Sequence, residues 1–156
     1  MRKSTAVKIL ISVMVVALAL SLAGCGPKSR VKEAVELFIE KANALDYQGM
    51  FDLMATETVR EIRGNKSLAD FLKEKTSAEI AEAILKHILP APVGDAEQFL
   101  KTLSMEYEGA DIREDFSSLY CVLKYEIDGE TFEKDAVFNM LRKNVSEPWT
   151  VRDIAL

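Results

Sequence analysis

Residues 119–141, LYCVLKYEIDGETFEKDAVFNML, decide the fold. Leu119, Cys121, Leu123, Tyr125 and Ile127 alternate with Tyr120, Val122, Lys124 and Glu126, a period of two that marks a strand with one apolar face. Asp128-Gly129 is a hairpin signal: a two-residue turn that matches strand twist needs positive φ at both positions, which Asp tolerates and Gly adopts freely. The return stretch from Thr131 to Leu141 puts Phe132, Ala136, Phe138 and Met140 on one side. Met105 to Arg113 and Trp149 to Ile154 are the remaining strand candidates, which makes a four-stranded antiparallel meander.

Before about Ser104 the period is 3.6 rather than 2. Val31, Val35, Phe38, Ile39, Ala42 and Leu45 fall on one face of a helix, with Lys32, Glu33, Glu36, Glu40 and Lys41 elsewhere on it. Asp46 can cap a second helix carrying Tyr47, Met50, Phe51 and Met54, and a helix over Thr56 to Arg63 ends at Gly64-Asn65. Ser67-Leu-Ala-Asp70 and Thr76-Ser-Ala-Glu79 both have the form of a capping box. The second opens a helix with Ile80, Ile84, Leu85, Ile88 and Leu89, which Pro90-Ala-Pro92 stops, and Asp95 starts a short helix with Phe99, Leu100 and Leu103. Helices first and strands after define an α+β domain, its N-terminal helices packed on a curved four-stranded antiparallel sheet.

The other end of the chain carries an address. Arg2, Lys3 and Lys8 precede an apolar run from Ile9 to Leu22, and Leu22-Ala23-Gly24-Cys25 follows at once. A cationic start, a short apolar core and small residues at its end make a secretory leader. The run is about 14 residues, shorter than the ~20 that cross a bilayer. Residues 22–25 resemble the lipobox of bacterial lipoproteins. That resemblance implies cleavage between Gly24 and Cys25, a thioether from Cys25 to diacylglycerol, and in many bacteria a further acyl chain such as palmitate on its amino group. At ~0.8 kcal/mol per buried methylene, two or three chains hold a protein durably where one would not. The chain then divides into a leader (1–24), a lipidated tether (25–30) and a single domain (31–156). Its location is the outward side of the cell membrane, or the outer membrane if the host has one.

Removing the leader leaves 132 of the 156 residues and takes away three basic residues and no acidic ones, so the net charge falls from −5 to −8. So acidic a body does not suit nucleic acid or anionic lipid, which leaves membrane attachment to the Cys25 lipid. With Cys25 acylated, Cys121 has no disulfide partner within the chain.

The segment VKEAVELFIEKANALDYQGMFDLM (31–54) resembles the opening of the nuclear transport factor 2-like, or ketosteroid-isomerase-like, superfamily. There a long helix ends in an Asp-aromatic step before a short second helix. PWTVRDI (148–154) is similar to its last strand, and small lumazine-binding-like bacterial lipoproteins of unknown function have this length, lipobox and order. The likeness covers residues 30–156 and departs from the simplest members in a helical insert from Ser67 to Leu103. It implies a cystatin-like cone in which the sheet wraps the long helix and an apolar mouth opens at one end. Such mouths hold steroids, substrates, peptides or nothing, so function has to be read from the site.

Two readings follow. One is a non-catalytic module that binds a small apolar ligand or a protein. The alternative is an isomerase- or dehydratase-like enzyme using Tyr or Asp groups in the cone, for which Tyr107, Tyr125 and His87 are the residues to inspect. His87 is the only histidine and falls near a helix C-terminus, where an imidazole bonds free carbonyls. Cys121 sits among apolar neighbours as a small hydrophobe. Glu106, Glu108, Asp111, Glu114 and Asp115 lie along a strand and its end, so they make a solvated face rather than a calcium loop. No cofactor or metal motif is present. Phe51, Met54, Tyr125, Phe138, Met140 and Trp149 are core by spacing, and line the cleft if the mouth is open. On the outward sheet face Tyr120, Val122, Val137 and Leu141 are apolar where water is expected, which points to a homodimer or partner interface.

Overall fold

The computed structural model describes residues 26–156; the leader, Gly24 and Cys25 lie outside them. Six helices precede four strands among these residues: α1 (Pro27–Asn43), α2 (Tyr47–Asp52), α3 (Thr56–Arg63), α4 (Leu68–Glu74), α5 (Ser77–Ile88) and α6 (Ala96–Thr102), then β1 (Ser104–Ile112), β2 (Phe116–Ile127), β3 (Glu130–Leu141) and β4 (Thr150–Ala155). The strands form one antiparallel sheet in the order β1-β2-β3-β4. This is the α+β meander read from the alternation. Asp128 (φ 53°) and Gly129 (φ 79°) make the β2–β3 turn, which sets Leu119 opposite Phe138 and Cys121 opposite Ala136.

One boundary is corrected. Helix α1 begins at Pro27, so Pro27 to Arg30 form its first turn instead of a free tether. The cause is local: Gly26 is the N-cap, its carbonyl accepts from the Ser29 and Arg30 amides, and proline at the first helical position arrives with φ already set. A second correction concerns caps. Thr76 and Glu79 form a full reciprocal box, whereas Ser67 caps α4 through the Asp70 amide but donates its hydroxyl to the Asp70 carboxylate.

The α1–α2 corner shows how side chains fix the path. Asp46 amide donates to the Lys41 carbonyl and Leu45 amide to the Ala42 carbonyl, a Schellman ending with Leu45 at φ 52°. Glycine usually takes that position; Leu45 takes it because its side chain packs on the core. The Asp46 carboxylate then accepts from Lys41 at 2.9 Å and from the Gly49 amide at 2.9 Å, and those bonds, Lys41 first, hold its carboxyl below the usual range. A Cβ on Gly49 would lie 2.5 Å from Asp46 Oδ2, so only glycine admits this cap.

Backbone bonds tie the chain after α2 to the sheet, and one side chain ties α1 to α6. Ala55 amide donates to the Val151 carbonyl at 2.7 Å and Val151 amide to the Leu53 carbonyl at 2.8 Å, so the chain after α2 pairs briefly with β4 in parallel. At the other end of α1, Asn43 Nδ2 donates to the carbonyls of Leu100 and Leu103. Between them the buried stripe Val31, Val35, Phe38, Ile39 and Ala42 lies on the inward sheet residues. Phe38 and Phe138 are both fully buried and meet edge to face, centroids 6.5 Å apart. Phe38→Ala is expected to cost ~3–5 kcal/mol, the usual range for emptying a buried aromatic site. Denaturant melts of residues 26–156 check this; a loss below about 1 kcal/mol would mean that α1 does not anchor the core.

Candidate functional site

The six residues read as cleft lining do not stay together. Tyr125, Phe138 and Met140 are 6%, 0% and 0% exposed and belong to the packed interior. Phe99 lies 4.7 Å from the Tyr125 ring and Phe132 stacks on it at 5.4 Å, so aromatic rings occupy the space between α6 and the sheet. The buried hydroxyls are bonded to backbone: Thr58 donates to the Arg152 carbonyl at 3.1 Å and Ser117 to that of Asp111 at 2.9 Å. Among the described residues no buried side-chain nitrogen or oxygen lacks a partner, and no cluster of three metal-ligating side chains forms.

Phe51 and Met54 line an open cleft of about 610 Å³ on the surface. Val59, Leu68 and Leu141 add to its apolar floor, while Asp52, Glu57, Asp115, Arg142, Lys143 and Glu147 stand around it. Its walls come from α2, α3, α4 and the loop between β3 and β4. Phe71, buried and outside the lining, meets Phe51 edge to face at 6.0 Å. Trp149 lines a separate groove with Arg30, Leu37 and Val145. The Arg142 guanidinium lies 4.3 Å over its ring, and Arg142 Nε donates to the Glu114 carbonyl at 2.5 Å. Arg142 thus joins the β1–β2 turn to the β3–β4 loop.

The outward sheet face carries the four residues expected there. Tyr120 is 39% exposed, and Val122, Val137 and Leu141 are half-buried. Register sets Tyr120 beside Val137, and adds Phe116, which sequence reading missed, opposite Leu141. A polar row crosses between these pairs: Ser118 Oγ donates to Asn139 Oδ1 at 3.3 Å and Asn139 Nδ2 to Asp153 Oδ1 at 2.5 Å. Tyr120 donates to Asp111 at 3.0 Å, and that carboxylate raises the phenol's pKa. Val122 faces Glu106 on one neighbouring strand and Asp135 on the other. Lys124 bridges Glu106 at 3.5 Å and Glu133 at 3.2 Å, so the apolar stripe is bordered mainly by carboxylates.

The remaining candidates are dispersed. His87 is exposed on α5 and its Nδ1 lies 2.8 Å from the Ala83 carbonyl, while Cys121 is 1% exposed under the helices. Burial, with Glu108 second, pushes the Cys121 thiol from 9.0 up to about 12, so it holds its proton at neutral pH. Tyr107 is half-buried, with the Lys32 ammonium 5.9 Å from its ring centre. Glu106, Glu108, Asp111, Glu114 and Asp115 are exposed along β1 and the following turn. No family model, curated protein or solved structure matches the chain.

Proposed function

We propose that this protein is a bacterial lipoprotein held by lipid on Cys25 at the outer side of a membrane. Its domain then works there as a non-catalytic interaction module. The observation that carries the second half is the filled interior. Rings and methyl groups occupy the space where a cone enzyme would need two polar groups converging on one substrate atom. Helix α1 packed across the sheet supports the cystatin/nuclear transport factor 2-like cone, here with its apolar mouth closed by Tyr125, Phe132 and Phe99.

The outer sheet face is then the working surface. Its stripe of Phe116, Tyr120, Val122, Val137 and Leu141 suits a protein with an apolar ridge. On its border Glu106 and Glu133 already hold Lys124 and Asp153 holds Arg152, which leaves Asp135 to suit a basic residue on that partner's rim. A second copy of this chain fits less well, because a two-fold contact sets the same acidic border against itself. The open cleft over Phe51 and Met54 supports a second reading, a small apolar ligand bound beside Arg142 and Lys143.

Two measurements test the proposal. A metabolic fatty-acid label should mark the wild type and not Cys25→Ser, since serine cannot carry the thioether; equal labelling removes the lipid anchor. A photo-crosslinking residue at Tyr120 should give one discrete adduct in whole cells, and Val122→Lys should abolish it. Lysine between Glu106 and Asp135 leaves the unbound domain within about 0.5 kcal/mol of wild type but strands a charge inside a contact. An adduct of twice the chain's mass makes the partner a second copy. No adduct, or the same adduct from a probe at Glu82, removes the sheet face as the working surface.

A further inference from the structure

Resting on the lipid anchor at Cys25, we infer that the domain sits on the bilayer in one orientation. Its membrane-facing end is made by the start of α1, the β1–β2 turn and the β3–β4 loop. The first support is the shortness of the link. Gly26 already caps α1, so the acylated residue is one peptide unit, about 3.8 Å between Cα atoms, from a rigid helix. No slack is left among the described residues to lift the domain away. The start of α1 shares a shallow surface with Ala110, Asp111 and Ile112, and its next turns share a groove with Arg142, Val145 and Trp149. Arg142 binds these two loops together, its amide to the Asp115 carbonyl and its Nε to that of Glu114.

Charge distribution supports the same end. Residues 26–30, 110–116 and 142–149 hold five basic side chains (Lys28, Arg30, Arg113, Arg142, Lys143) against four acidic ones. The whole of 26–156 carries −8, so the rest of the domain bears −9. Averaged over its surface the rest of the domain is repelled by an anionic leaflet and this end is not, although residues 60–75, with five basic side chains against three acidic, are not repelled either. The third support is Val145, 58% exposed at the tip of the β3–β4 loop two residues beyond Lys143. An apolar tip beside a cation is what an interfacial contact takes: the methyl groups enter the acyl boundary and the Lys143 ammonium stays with phosphates. The opposite end, with the β2–β3 turn at Asp128-Gly129, stands off by roughly the ~25 Å length of the 17-residue α1.

The occupant of this end is therefore the lipid surface in which the Cys25 chains are embedded. The acylated full protein, purified from membranes and reconstituted in phosphatidylcholine–phosphatidylglycerol vesicles, tests this. Cys25 is consumed by lipid and Cys121 is buried, so a thiol-reactive fluorophore goes to an introduced cysteine: Val145→Cys in one sample, Glu130→Cys in the other. Phospholipid carrying a headgroup nitroxide should quench the label at 145 several-fold more than the label at 130. Equal or reversed quenching on an acylated, vesicle-bound protein overturns the orientation and leaves the anchor standing. A protein whose mass shows no acyl chains, and which does not float with vesicles, overturns both.

Discussion

The contact of Phe38 on Phe138 is the one that the remaining structure depends on. It joins the first long element of the described chain to a central strand laid down a hundred residues later. Neither surface could stay in water: the α1 stripe is five buried residues, and the inward faces of β2 and β3 are buried from Leu119 to Tyr125 and from Ala136 to Met140 in alternation. Once α1 lies on the sheet, α2 and α3 must run along the β4 edge, where Leu53 and Ala55 find their hydrogen bonds on Val151. Helices α4, α5 and α6 then cover the rest of the inward side, with Phe99 against Tyr125.

With the interior occupied, two surfaces are left with apolar side chains that water does not favour: the outer sheet stripe and the cleft over Phe51 and Met54. They share Leu141, which ends the stripe and floors the cleft, and otherwise draw on different parts of the fold. The stripe lies on the two central strands, β2 and β3. The cleft is built from short helices and a loop, at the end of the domain where Arg142 and Lys143 stand.

Much of this architecture was legible in the sequence, for reasons that differ from residue to residue. The β2–β3 hairpin was readable because period two and Asp128-Gly129 are both local signals. The face of α1 was readable because its apolar spacing repeats over four turns. The start of α1 was not: Gly26 to Arg30 carry none of the repeating apolar residues, so periodicity is silent where Gly26 and Pro27 set the cap. Phe116 was missed because Ser117 and Ser118 interrupt the hydrophobic run, although both are strand residues and Ser117 is buried. The cleft was half visible. Phe51 and Met54 stood out as aromatic and sulfur side chains, but their partners Val59, Leu68 and Leu141 come from separate elements that no local pattern joins. The separation of Tyr125, Phe138 and Met140 from that cleft depends on how the insert packs, which is long-range information.

The filled interior is the point on which the functional reading turns, and xenon gas tests it without any knowledge of a ligand. Xenon enters dry apolar cavities and shifts the methyl resonances that line them. For residues 26–156 under xenon pressure, a filled interior leaves the methyl groups of Leu119, Leu123, Met140 and Ile154 unmoved. Saturable shifts centred on those four would mean an open apolar chamber behind the sheet, and would return the working site to the inside of the fold.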